Sequence, residues 1–234
     1  MKQLKRPKSL SEMATVQLRE AIIKGDFMLG EALTEAKLAE ILNISKTPVR
    51  HALAQMRVEG LVEVYPQSGT FVFTVSMADL MQLCEYRRII EANALGLASE
   101  RNLETLIQEL EASTSNMDMA LNLGNLRRYL DLDTNFHRII VEFSDNDYLL
   151  ESYSLIEAKT AAIRTHLAAQ PLQSKHSYNE HVKLVASLKN DDLATATEIL
   201  SYHIERYSRC YDDDTDDIAA RDRRQRLDEL SAAG

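Results

Sequence analysis

The chain has 234 residues, 45% hydrophobic and 27% charged, with a formal net charge of −9, which is ordinary for a globular protein and too apolar for global disorder. No stretch approaches 18 apolar residues, and the basic start MKQLKRPKSL has no apolar segment after it, so neither a membrane span nor a secretory signal is expected. Cys84 and Cys210 make no disulfide framework and suit the reducing cytoplasm.

Breakers and charge divide the chain at the same place. Four of the seven glycines lie in the first 69 residues, and Pro171 is the only proline beyond residue 66. The long remainder is therefore expected to be helical, with tight turns and strands near the N-terminus. Residues 1–74 carry ten Lys/Arg against eight Asp/Glu, a charge of +2, and the rest carries −11. A slightly basic module on an acidic body is compatible with DNA binding, because the local patch sets the phosphate term.

In chain order, Ser9-Leu-Ser-Glu12 is a capping box, followed by Val16, Leu18, Ile22 and Ile23 and stopped at Gly25. Thr34 caps a short second helix with Leu38, Ala39, Ile41 and Leu42. Asn43 tolerates the left-handed turn after it. Ser45 caps a third helix, with Pro48 in its first turn, Val49, Leu53 and Met56 inward, and Gly60 at its end. The runs Leu61–Tyr65 and Thr70–Thr74 flank Pro66-Gln-Ser-Gly69 and read as a β-hairpin. A helix-turn-helix followed by a hairpin is a winged helix.

Residues 75 to about 211 read as six antiparallel helices: Ser76 to about Arg101, Leu103–Leu123, Leu126–Phe143, Tyr148–Ala169, Ser174–Leu188 and Leu193–Tyr211. The inward residues of the first are Leu80, Leu83, Ile89, Ile90, Leu95 and Leu97. Residues 212–234 form a polar tail with no chemistry assigned. The expected fold is mainly α: a winged helix-turn-helix domain over 1–74 and an all-α antiparallel helical bundle over 75–211.

The N-terminal stretch resembles the GntR-type winged helix. The match rests on Ile22–Gly25, Gly30, Leu33-Thr-Glu35, Leu38-Ala39, Ser45-Lys-Thr-Pro-Val-Arg50, Ala52-Leu53, Glu59-Gly60-Leu61 and Gly69-Thr-Phe-Val72. Leu29, Asn43, Lys46 and His51 depart from the family's commoner Pro, Gly, Arg and Glu. Ser45, Lys46 and Thr47 start the recognition helix, where free N–H groups, a hydroxyl and a cation suit phosphates or base edges. Arg50 lies one turn in, opposite Val49 and Leu53. The resemblance implies that Arg50 reads a guanine, that Glu35 belongs to the same DNA-binding set and that Gly69 lets the wing approach the minor groove. The alternative for Arg50 and Lys46 is a pair of solvated surface charges. Helix-turn-helix dimers read two half-sites, so a homodimer on a pseudo-palindromic double-stranded operator is expected.

In the helical body, Asp133 and His137 are four apart and share one face of the third helix, with His181 on the fifth helix and His203 on the sixth. Three imidazoles and a carboxylate can converge on one divalent ion, Zn, Ni, Fe or Mn. By spacing alone, a capped or solvated pair is an open alternative. The segments Asp133-Thr-Asn-Phe136-His137 with Asn146, Glu180-His181 and His203, together with Arg87-Arg-Ile-Ile-Glu91, resemble the FCD effector domain of the FadR subfamily over about residues 76–208. That resemblance implies metal binding by Asp133, His137, His181 and His203. Arg87 is a candidate clamp for a carboxylate effector, or else the ion-pair partner of Glu91. His166 and His176 fall outside the pattern, and Cys84 reads as inert packing.

The sequence therefore points to a cytoplasmic bacterial transcription regulator of the GntR family, with no catalytic residues assigned. A metal-dependent enzyme built in the bundle is the alternative, since catalytic sites also keep open metal positions. A bundle with an empty site is a third.

Overall fold

A computed structural model describes residues 9–167 and 171–209 and divides the chain into two compact units at Thr74/Val75. The polar tail, residues 212–234, lies outside the described residues.

The first unit holds α1 (Leu10–Ile23), β1 (Ala32–Leu33), α2 (Glu35–Leu42), α3 (Lys46–Val58), β2 (Val62–Tyr65) and β3 (Gly69–Val72). Ser9 and Glu12 form the full capping box on α1. Thr34 Oγ1 accepts from Lys37 N at the start of α2. Asn43 ends α2 in the left-handed conformation, φ 51° and ψ 47°, and so makes the tight turn into α3. Leu18 and Ile22 of α1, Leu38 of α2 and Val49, Leu53 and Met56 of α3 pack together, all buried. Arg19 donates from Nε and Nη2 to Glu59, fastening α1 to the end of α3.

The sheet is antiparallel throughout, in the order β1-β3-β2. The hairpin is as expected, with slightly shorter strands. The two-residue β1 was not expected. It pairs Ala32 with Phe71 and Leu33 with Thr70, too short a stretch to leave a pattern in sequence.

The second unit is helical: α4 (Met77–Asn122), α5 (Leu126–Glu142), α6 (Asp147–Leu167), α7 (Pro171–Lys189) and α8 (Leu193–Arg209). The first two expected helices are the two arms of α4. Asn102 departs from helical geometry between them, at φ −144° and ψ 30°. Its side chain donates to Phe143 O at 3.2 Å, and Arg101 Nη1 donates to Asp145 O at 2.9 Å and to Ser144 O. The bend in α4 thus satisfies carbonyls at the open end of α5. Helix α7 begins at Pro171 and not at Ser174, with proline in the first position, where a missing N–H costs nothing. The expected ends of the fourth and sixth helices, at Ala169 and Tyr211, lie outside the described residues.

Helix α4 packs on α5, α6, α7 and α8, α5 on α6, and α7 on α8. The buried face of α4 differs from the expected one: Ile89 is 55% exposed, while Arg87 and Glu91 point inward between Cys84 and Ala94. The buried stripe on α5 runs Tyr129, Leu132, Asp133, Phe136, His137, Ile140. On α8 it runs Ala196, Leu200, His203, Ile204. Charged and imidazole side chains hold positions that packing alone would give to Leu or Val.

Asn43 supplies a stability test of this layout. Asn43→Val should cost about 1–2 kcal/mol, the price of left-handed backbone on a β-branched residue, while Asn43→Gly stays near neutral. Urea unfolding of the three chains measures this, and equal midpoints would show the turn is not constrained as described.

Candidate metal centre and DNA-reading face

Four side chains meet inside the bundle. Asp133 and His137 come from α5, His181 from α7 and His203 from α8. One ligand atom from each lies within 4.8 Å of every other. All four are at most 2% exposed. The structure thus brings together all four of the residues singled out from sequence.

Hydrogen bonding decides which nitrogens face inward. His137 Nδ1 lies 2.6 Å from Glu91 Oε2, and His203 Nδ1 lies 2.7 Å from Glu180 Oε2. A carboxylate accepts, so each Nδ1 carries a proton, and the neutral ring then has its lone pair at Nε2. Those two Nε2 atoms face each other at 3.1 Å. Metal–nitrogen bonds of about 2.0–2.1 Å place neighbouring ligand nitrogens about 3–3.4 Å apart, so the spacing fits a shared cation. His181 has no hydrogen-bond partner at either ring nitrogen, and Asp133 Oδ2 has none either. Buried polar atoms are rarely left so. The ring of Phe136 stacks on His181 at 4.2 Å between centroids and orients it. These residues therefore fit a divalent ion.

Two buried arginines border the cluster. Arg164 Nη1 lies 2.9 Å from Asp133 Oδ2, an ion pair without hydrogen-bond alignment, and donates to Thr134 Oγ1 at 3.1 Å. Arg87 Nε donates to Glu91 Oε1 at 2.8 Å, so the ion pair weighed for it from sequence is present. Its Nη2, however, is buried with no hydrogen-bond partner. Arg164 and the bridging part played by Glu91 were missed in the sequence. The signal was there in outline: a charged residue at an inward position of an otherwise apolar helix. His176 is exposed and His166 sits apart, as expected.

The charges tune one another. Burial pushes the Asp133 carboxyl up, but Arg164 foremost and the adjoining histidines outweigh it and hold it well below the usual carboxylate range. Burial, assisted by Arg164 and Arg87, pushes His137 well below the ordinary imidazole value. Burial and His203 push His181 down to about 3. His137 and His181 are thus held neutral, as metal ligands must be.

On the winged helix, Ser45 stands at the N-cap of α3, but its side chain makes no capping hydrogen bond, a correction to the expected cap. The physical reason is Pro48. It occupies the third helical position, whose N–H would normally donate to the cap, and proline has none. Lys46 and Thr47 form the exposed first turn beside it. Arg50 is exposed, and its Nε and Nη2 donate to Glu35 Oε1 and Oε2 at 2.8 and 2.7 Å. This bidentate pair joins α2 to α3. Gly69 opens β3 beside the turn, at φ +113°, a conformation that side chains rarely adopt.

The FCD domain family matches residues 82–206, and the bacterial regulatory proteins of the gntR family match residues 10–72. The chain belongs to the FCD-domain GntR regulators. It is a DNA-binding transcription regulator with an FCD effector domain. It is 22% identical over 191 residues to the transcriptional repressor RspR of Escherichia coli K12, covering 82% of this chain and 84% of that one. It is 28% identical over 184 residues to the Nta operon transcriptional regulator of Aminobacter aminovorans, covering 77% and 84%. In fold it resembles a GntR transcriptional regulator from Rhodococcus sp. RHA1, with a TM-score of 0.77 at 18% identity over 86% of this chain and 96% of that one. It also resembles E. coli McbR/YncC, with a TM-score of 0.74 at 23% identity over 86% and 95%. No described helix of this FCD-domain regulator is long and apolar enough to cross a membrane.

The depressed histidines give the FCD domain a pH signature. In the unfolded chain His181 titrates near 6.5, and in the folded bundle near 3, so below pH 6.5 the unfolded state binds the extra proton. Stability of chelator-treated protein should be full above about pH 6.5 and decline as pH falls toward 3, less steeply in His181→Ala. Urea midpoints that stay constant from pH 7.5 to 5 would contradict this.

Proposed function

We propose that this regulator belongs to the FadR subfamily and senses a small organic acid through a metal held by Asp133, His137, His181 and His203. The observation that carries it is the pair of facing Nε2 atoms at 3.1 Å, beside a His181 ring that makes no hydrogen bond and whose Nε2 lies 3.7 Å from Asp133 Oδ1. Zn, Ni, Fe and Mn all accept such a nitrogen and oxygen set. When bound, the ion supplies open positions for an anion. Arg87 serves as the clamp for the effector's carboxylate, supported by its buried and partnerless Nη2. The cluster is a sensor and not a catalytic centre, a reading supported by the joined DNA-binding domain and by relatives that carry regulators' names. Bound to operators, the protein works in the bacterial cytoplasm.

On DNA, Ser45, Lys46 and Thr47 meet phosphates, Arg50 reads a base edge with Glu35 behind it, and Gly69 brings the wing into the minor groove. Two copies read a pseudo-palindrome as a homodimer. The exposed apolar side chains Tyr86 and Ile89 on α4 and Leu155 on α6 offer the bundle a surface for pairing.

On an operator selected from random duplexes, Arg50→Ala should cost about 1–3 kcal/mol and relax one base position. Lys46→Ala should weaken binding to all sequences and lower the salt slope by about one. Sedimentation of the wild-type complex should give two chains per operator. Unchanged affinity in both variants, or one chain per operator, would refute this interface.

For the metal, purified protein should carry one divalent ion per chain, and a chelator should lower its melting temperature. His181→Ala and His203→Ala should each lose the ion and the chelator-sensitive part of the melt while retaining operator binding. Metal content and affinity unchanged in both variants would place the site elsewhere.

A further inference from the structure

The metal reading assigns four ligands, but their aim is set by residues behind them. Two chains of the same composition converge on the cluster from different helices. In one, Arg87 Nε donates to Glu91 Oε1 at 2.8 Å and His137 Nδ1 donates to Glu91 Oε2 at 2.6 Å. In the other, Arg206 Nε donates to Glu180 Oε1 at 3.0 Å and His203 Nδ1 donates to Glu180 Oε2 at 2.7 Å. Arg206 Nη2 also donates to Glu180 Oε2 and to Ser177 Oγ, at 3.1 and 2.8 Å. Both chains end on the Nε2 atoms that face each other. His181 stands outside this scheme, steered by the Phe136 ring and hydrogen-bonded to neither kind of group.

An imidazole has two neutral tautomers, and only one presents its lone pair to the cluster. Without a fixed acceptor behind it, a buried ring divides between the two forms or turns over. A carboxylate that is itself gripped by a guanidinium removes that freedom, because it accepts and does not donate. We infer that Glu91 and Glu180 are positioning residues of the metal centre, each locking one histidine, His137 or His203, in the Nδ1–H form with Nε2 turned to the ion. The inference rests on the metal reading of this cluster. It assigns Arg87 a second task, holding Glu91, besides meeting an effector. Neither glutamate is among the four candidate ligands. Each acts through its histidine, and partners of this kind typically alter metal affinity 10- to 100-fold.

The test uses full-length protein stripped by chelator. Side-chain nitrogen NMR of the wild type should show His137 and His203 each as a single Nδ1–H tautomer. Competition of Zn2+ against a chromophoric chelator should then find Glu91→Gln and Glu180→Gln each weakened 10- to 100-fold. Glu111→Gln, which removes only a surface ion pair with Lys189, should match the wild type. Glutamine keeps the shape but can donate as well as accept, so the Nε2–H form of the histidine it faces should appear in the spectrum. Glu180 lies nearer the rim than Glu91, so its variant stands in if Glu91→Gln fails to fold. An Nε2–H tautomer at His137 or His203 in the wild type, or wild-type Zn2+ affinity in the folded variants, overturns the inference while leaving the metal site intact. A wild type that takes up no Zn2+ overturns the metal reading, and this inference with it.

Discussion

Two imidazole Nε2 atoms face each other across 3.1 Å of buried interior, a spacing that one proton or one cation between them satisfies. That contact between α5 and α8 organises the helical unit. Three histidines and an aspartate buried at core positions would ordinarily weaken a bundle, since each polar group taken out of water needs a partner. Here His137, His203 and Asp133 have partners on other helices, while the His181 nitrogens make no hydrogen bond. Glu91 on α4 and Glu180 on α7 stand behind the rings, Arg164 on α6 stands beside Asp133, and Phe136 lies against His181. All five described helices of the unit contribute a residue.

The framework around the cluster fixes these helices at their ends. The bend in α4 at Asn102 brings Arg101 and Asn102 onto the carbonyls that close α5, so the helix carrying Asp133 and His137 is held near its C-terminus. Asn125 caps its other end by accepting from Arg128 N. Asp192 does the same for α8 by accepting from Thr195 N. Short-range capping thus sets where the helices begin and end. The buried polar cluster then sets which faces turn inward, and apolar residues such as Leu95, Leu110, Ile140 and Leu200 fill the remainder.

The two-part architecture and the helix-turn-helix were legible because caps and turns write themselves locally: Ser9 with Glu12, Thr34, Asn43, Gly60 and Ser76 each mark an element boundary within three or four residues. The four clustered residues were legible by resemblance, and only weakly by spacing, since an Asp and His four apart are common on wet helices. What supports them was not legible. Glu91 bridges Arg87 to a histidine 46 positions away, and Arg164 meets Asp133 from another helix. Such partners depend on packing angles that no local pattern records. Strand β1 was hidden for the opposite reason, because two residues are too few to show alternation. The inward turn of Arg87 and Glu91 overrode the apolar stripe that would have buried Ile89.

The pairing of Arg50 with Glu35 has a consequence for how the protein meets DNA. A free arginine side chain samples many rotamers, and ordering it on a base edge forfeits about 2 kcal/mol of that freedom. In this chain the guanidinium is already clasped along one edge by a carboxylate on the neighbouring helix. The pair is exposed, 66% at Arg50 and 33% at Glu35, so it narrows the rotamers of that side chain without fixing them. On the proposed DNA-binding reading, Arg50 would meet a base edge from a narrowed set of rotamers, which lowers the ordering cost of that contact.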